Sequence, residues 1–198
     1  MSTIIDLVKE TFGDYTGYLV VAGAFDGVYD DPTFGLESFG WTTLCIEPNP
    51  EAFDKLVVNR SKAMCLQFAL GTEPRDNVPF EVFPVGGGAS FSSFKASDAI
   101  RGVFYYYDSP EKIINVNVRT LDYCVELAGF KDVDVLTVDV EGWELEVLKS
   151  FSLDIWKPKL LVIENICGEV ELTNYIKSFG YGIIERVAYN DVFVRKDV

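Results

Sequence analysis

Short apolar runs alternate with helix-length segments along most of this chain, and no other feature limits its possible folds as strongly. The runs Tyr18 to Ala22, Thr42 to Ile46, Ala63 to Ala69, Val133 to Val138 and Lys159 to Ile163 are largely apolar, as strands buried on both faces must be. Helical segments stand around them. Ser2 to Phe12 carries Ile4, Ile5, Val8 and Phe12 on one face. Thr33 to Phe39 follows Pro32, and Pro50 to Asn59 starts on a proline. Thr120 to Ala128, Glu141 to Lys149 and Val170 to Phe179 complete the set. Tyr181 to Val187 and Val192 to Arg195, joined across Tyr189-Asn190-Asp191, read as a closing hairpin. The pattern predicts an α/β fold: a seven-stranded, mainly parallel sheet with helices on both faces and a C-terminal antiparallel hairpin.

The middle of the chain is less regular. Val78 to Pro84 and Ile113 to Val118 alternate like half-exposed strands, Gly86-Gly87-Gly88 opens a loop running to about Phe94, and Ser97 to Tyr107 reads as helical. No internal repeat or linker interrupts residues 1–198, and the length suits one domain with a substantial core.

Composition removes several chemistries. There is no histidine, so Ser-His-Asp and Cys-His hydrolases are excluded and so is a histidine-bearing zinc site. Cys45, Cys65, Cys124 and Cys167 form no CxxC pair and are expected as reduced, mostly buried thiols. A net charge of −14 disfavours a surface that tracks nucleic-acid phosphates; a neutral or cationic small partner suits it better. The apolar stretch Tyr18 to Phe25 is too short to span a bilayer and no signal-type segment is visible, so the expected location is cytoplasmic.

Ligands of open α/β sheets bind beyond the carboxyl ends of the strands. The first strand ends in Gly23-Ala24-Phe25-Asp26-Gly27, whose glycines are expected to admit a ligand to the backbone. The second ends in Glu47, 24 positions beyond Gly23, the spacing at which an acidic side chain binds ribose hydroxyls. A dinucleotide pyrophosphate calls for GxGxxG, whereas this loop is GxxxG and carries Asp26, Asp30 and Asp31. A carboxylate about 5 Å from a phosphate charge costs about 3 kcal/mol at an effective dielectric of about 20. S-adenosylmethionine brings an ammonium and a sulfonium instead, so the acidic loop favours it over NAD. Asp30 and Asp31 have a plainer alternative role, capping the segment that begins near Pro32.

Taken together, Val20 to Gly27 with Val28-Tyr29-Asp30, Gly40-Trp41, Ile46-Glu47-Pro48-Asn49-Pro50, Ala69-Leu70-Gly71, Thr120-Leu121-Asp122 and Val138-Asp139-Val140-Glu141-Gly142-Trp143-Glu144-Leu145-Glu146-Val147-Leu148 resemble the FkbM methyltransferase family, in the family's order. Lys157-Pro158 through Glu164 fits the strand that follows. The resemblance implies a Rossmann-like class I fold and methyl transfer from S-adenosylmethionine, leaving S-adenosylhomocysteine, to a hydroxyl of a sugar, glycolipid or small metabolite. It implies a cofactor site at Gly23, Ala24, Phe25, Asp26, Gly27, Glu47, Pro48, Ala69 and Asp139. Val21 stands where family members often carry an acidic residue, and Asp26 is the candidate substitute.

Methyl transfer to oxygen is an in-line displacement that needs the acceptor positioned and its hydroxyl deprotonated; without histidine the base is expected to be a carboxylate. Asp139, Glu141 and Glu164 are the catalytic candidates: Asp139 to contact the acceptor or the cofactor's amine, Glu141 to orient the acceptor or act as base. A magnesium or calcium ion is not demanded by their spacing. Residues 85–112, with Ser90, Ser92, Ser93 and the Phe104-Tyr105-Tyr106-Tyr107 run, are expected as an insertion over the acceptor site. The competing readings are a binding protein of the same fold without catalysis and a nucleotide-dependent oxidoreductase.

Overall fold

The computed structural model describes residues 2–29, 31–85, 89–93 and 112–196, with backbone only at 84, 85 and 89–93. Helix α1 (Ile4–Phe12) opens the chain behind a capping box in which Thr3 and Asp6 satisfy each other's backbone N–H groups. Strand β1 (Tyr18–Ala22) leads to a 3₁₀ turn (Leu36–Phe39), then to β2 (Thr42–Ile46), helix α2 (Pro50–Asn59) and β3 (Met64–Leu66). Short β4 (Ala69–Leu70), long β5 (Arg75–Val85), β6 (Ala89–Ser93) and β7 (Lys112–Arg119) follow. The chain resumes its alternation with α3 (Leu121–Leu127), β8 (Val135–Val138), α4 (Glu144–Lys149), α5 (Leu153–Trp156), β9 (Leu160–Glu164) and α6 (Val170–Ser178), and closes with the hairpin β10 (Tyr181–Val187) and β11 (Asn190–Arg195).

The main sheet has seven strands in the order β10-β11-β9-β8-β1-β2-β3. Strands β3, β2, β1, β8 and β9 are parallel, and β11 runs antiparallel to both β9 and β10. Alternate residues feed two separate cores. Val20, Ala22, Leu44, Ile46, Leu136, Val138, Leu161 and Ile163 face Leu121, Val125, Leu148 and Ile176 of α3, α4 and α6. Leu19, Val21, Cys45, Val135, Leu160 and Val162 face Ile4, Leu7 and Val8 of α1, Leu36 of the 3₁₀ turn, and Leu56 of α2. Burial on both faces is the physical reason these strands read as unbroken apolar runs. The chain winds outward from β1 to β3 and then crosses back to β8 on the other side of β1. The loops after β1 and β8 therefore lie side by side at the switch point.

A second sheet, β4-β7-β5-β6, has its own small core of Ala69, Phe80, Val116 and Val118. It takes the end of the expected third strand: pairing with β2 stops at Leu66, and Ala69–Leu70 instead pairs parallel with Val118–Arg119. The expected helix at Thr33 to Phe39 shrinks to the 3₁₀ turn. Asp31 accepts bonds from the N–H and hydroxyl of buried Thr33, and this side-chain-to-backbone turn occupies the first residues. The helix expected from Glu141 begins at Glu144, because Glu141 and Gly142 take φ of +60° and +88°. The expected helix at Ser97 to Tyr107, and most of the expected 85–112 insertion, lie outside the described residues. No helix among the described residues is long and apolar enough to cross a membrane. Cys45, Cys65, Cys124 and Cys167 are all free thiols, and Cys167 is exposed.

Candidate active site

The loop after β1 is fastened to the end of β2. The N–H groups of Gly23 and Ala24 both donate to the Ile46 carbonyl at 3.0 Å. Glu47 then grips both loops: one carboxylate oxygen accepts from Phe25 N–H at 3.0 Å and the other from Asn49 N–H at 2.8 Å. Only 6% of Glu47 is exposed, and burial pushes its pKa up to about 7 despite those two bonds, with the charge of Asp139 adding to the rise. Phe25 holds a left-handed φ of +46°, which costs a non-glycine residue on the order of 1 kcal/mol. Asp26 turns back to accept from Val28 and Tyr29 N–H at 2.9 and 2.8 Å, and its own carbonyl accepts from the Asn59 side chain.

The glycines of this loop serve the protein's own packing. A Cβ on Gly23 would lie 1.7 Å from the Asp139 carbonyl oxygen, and one on Gly27 2.5 Å from Cγ of Arg60. Gly23 and Gly27 thereby let β1 close against β8 and α2. The expected acidic field is also reduced. Asp31 is bound to buried Arg60, which binds Glu37 at 2.5 Å as well and donates to the Gly27 carbonyl at 3.2 Å. Asp31 thus works as a turn and ion-pair residue, and Asp30 lies outside the described residues. Nothing in the local pattern announced Arg60, since its partners lie 23 to 33 residues away.

The loop after β8 and the end of β9 bring the three candidate carboxylates together. Asp139 N–H donates to the Ala22 carbonyl at 3.0 Å, which locks it beside β1. Glu164, at the end of β9, hydrogen-bonds the Asp139 side chain and feels the charges of Asp139, Glu141 and Glu144. Burial first and these charges second push Glu164 well above the usual carboxylate range. Two carboxyl groups hydrogen-bond only when one keeps a proton, so at neutral pH the pair shares one. Asp139, Glu141 and Glu164 are all half-buried rather than sealed.

Glu144 joins them, although no local sequence pattern singled it out. It is 5% exposed, and one carboxylate oxygen accepts from Val140 N–H at 3.1 Å and Gly142 N–H at 3.0 Å. Burial raises its pKa to about 7. Pro48 is half-buried beside Glu47, and Val21 is sealed in the core. Ala69 points into the small-sheet core and has only its backbone to offer a ligand. Asp122 is structural: it accepts from Ser152 N–H and hydroxyl and from the Trp156 indole. Among the described residues no group of three or more acidic or cysteine side chains is arranged to hold a metal ion.

This strand order, with a reversed final hairpin and adjacent loops at the β1/β8 switch point, defines a Rossmann-like domain of the methyltransferase type. The chain matches the FkbM methyltransferase domain over residues 22–182 and belongs to that family. It is 31% identical over 121 residues to the hexuronic acid methyltransferase AglP of Haloferax volcanii, a match taking in 60% of this chain and 44% of that relative, so it spans less than half of AglP's length. Among solved structures it resembles the METTL16 methyltransferase domain, at 12% identity and a TM-score of 0.52, over 96% of this chain and 64% of that one. The N-terminal domain of human METTL16 in complex with S-adenosylhomocysteine is a further match, at 11% identity and a TM-score of 0.46, over 98% of this chain and 69% of that one.

Proposed function

We propose that this domain transfers a methyl group from S-adenosylmethionine to an oxygen atom of a carbohydrate acceptor. The observation that carries the reading is the meeting of Asp139, Glu141 and Glu164 at the β1/β8 switch point, next to the Glu47-braced loop. The family membership and the hexuronic acid substrate in AglP's name support it. The residues present suit the cofactor. Each Glu47 oxygen already accepts one N–H and has capacity for a second donor such as a ribose hydroxyl. Asp139 offers negative charge to the ammonium of the methionine part.

When bound, S-adenosylmethionine supplies an electrophilic methyl carbon. The protein's task is to hold the acceptor oxygen about 3 Å from that carbon and on axis. The Asp139–Glu164 pair holds one proton and fixes its own geometry, leaving Glu141 to take the hydroxyl proton as the new C–O bond forms and the C–S bond breaks. The products are the methyl ether, S-adenosylhomocysteine and a protonated carboxyl.

Transfer of radiolabelled methyl groups to a panel of glucuronic acid, galacturonic acid, neutral methyl hexosides and a short RNA tests the reading. Label is expected in a sugar, with Glu141→Gln slowing transfer by about 10²-fold or more while S-adenosylhomocysteine affinity stays within about threefold. Label in the RNA alone would overturn the acceptor class. Cofactor binding without transfer to any acceptor would favour a binding protein of the same fold.

A further inference from the structure

The turn between β8 and α4 is wound around an anion that the chain itself provides. Glu141 and Gly142 are consecutive left-handed residues, at φ +60° and +88°. Successive N–H groups in such a turn converge on one point and form a concave site for an anion. In this fold the anion is the side chain of Glu144, which accepts from the N–H groups of Val140 and Gly142 and from its own. A charge this deeply buried is costly, and hydrophobic packing could close a helix start without it. What the carboxylate does that an apolar side chain could not is hold Glu141 in a backbone conformation that residues other than glycine rarely adopt.

Resting on the methyl-transfer reading above, we infer that Glu144 is a positioning residue, whose carboxylate winds the Val140–Gly142 turn and so sets where Glu141 presents its carboxyl group to the acceptor. Asp139 is independently anchored through its N–H to Ala22 and its carbonyl against Gly23. The side of the site that depends on Glu144 is therefore the Glu141 side, where the acceptor proton leaves. Glu144 also acts through space: its charge contributes to the raised pKa of Glu164.

The test compares wild type, Glu144→Gln and Glu144→Ala in three measurements. These are amide hydrogen exchange of the 139–143 segment, calorimetric binding of S-adenosylhomocysteine, and the pH profile of methyl transfer to glucuronic acid. Glutamine keeps an acceptor oxygen for the two N–H groups but not the charge. It should preserve slow exchange and turnover while moving the alkaline limb of the profile, where the Asp139–Glu164 pair gives up its shared proton, to lower pH, because Glu164 loses a repelling neighbour. A merely structural role would leave that limb in place. Alanine leaves the two N–H groups unpaired. It should speed exchange in the segment by about tenfold or more and cut turnover by about tenfold or more, with S-adenosylhomocysteine affinity changed by less than about threefold. Unchanged exchange and turnover in a folded alanine variant would overturn the inference. If the alanine variant does not fold, an unmoved alkaline limb in Glu144→Gln does so. A wild type that transfers to no sugar defeats the methyl-transfer reading instead, and the exchange rates still decide whether Glu144 winds the turn.

Discussion

Replacing Gly23 by alanine tests the contact between the loops after β1 and β8. The new Cβ would sit 1.7 Å from the carbonyl oxygen of Asp139 and 2.8 Å from its carbonyl carbon, where real contacts stay above 3.0 Å. The obstacle is backbone, so relief requires the end of β8 to retreat from β1 by roughly 1 Å or more. Alanine at φ +83° adds about 1–2 kcal/mol for the left-handed conformation. Forcing apart packed backbone adds about 1–3 kcal/mol. Together these give a loss of roughly 2–5 kcal/mol, or about 10 °C in Tm for a domain of this length. Asp139 moves with the strand, and a misplacement of about 1 Å costs on the order of 10²-fold in rate. The control is Gly129→Ala, at φ +72° with open space where the Cβ would go, which carries only the conformational cost. Thermal unfolding followed by circular dichroism, with S-adenosylhomocysteine calorimetry on the same samples, reads both effects. A Gly23→Ala protein that melts within about 2 °C of the Gly129→Ala control would refute the argument that the β1/β8 contact requires glycine.

Other outcomes follow from the buried carboxyl groups and the buried arginine. Glu47, Glu144 and Glu164 all have raised pKa values in the folded state, so the stability they contribute in protonated form is present below about pH 4.5 and lost as pH rises through about 7 for Glu47 and Glu144 and through about 10 for Glu164. Tm should therefore fall between pH 5.5 and pH 8, and Glu47→Gln should flatten part of that fall; a Tm that rises across this window contradicts the assignment. Binding of S-adenosylhomocysteine is expected to strengthen as Glu47 ionises near pH 7 and to lose this dependence in Glu47→Gln, which titration calorimetry at pH 6 and pH 8 checks. Arg60→Met leaves Asp31 and Glu37 buried without their cation, a loss of about 3–5 kcal/mol, measured by urea unfolding; a loss under about 1 kcal/mol would mean the network contributes little.

How much of this was legible beforehand depended on the range of the interaction. The strands of the parallel sheet could be read directly, because Val20, Leu44, Leu136 and Leu161 on one face and Leu19, Cys45, Val135 and Leu160 on the other leave no polar alternation. The meeting of the loops after β1 and β2 could be placed as well: an acidic residue closing β2 and a glycine closing β1 sit at a spacing that the βαβ unit brings together. The start of α4 was misplaced, because a propensity pattern through Glu141 to Lys149 does not reveal that the Glu144 side chain captures the preceding turn. The end of β3 was misplaced because Ala69–Leu70 finds its partner at Val118–Arg119, roughly fifty residues on.

What the sequence by itself determined is the order of elements, the two buried faces of the sheet and the set of carboxyl groups available for chemistry. All of these follow from local periodicity and from the absence of histidine. Only the tertiary structure decided what each of those groups is for. It committed Asp31 to Arg60, gave Gly23 to the Asp139 carbonyl, brought Glu164 onto Asp139 and wound a turn around Glu144. The physical reason is that a carboxylate's role is set by the donors and charges within a few ångströms of it. At this switch point β1, β2, β8 and β9 supply those neighbours from positions more than a hundred residues apart.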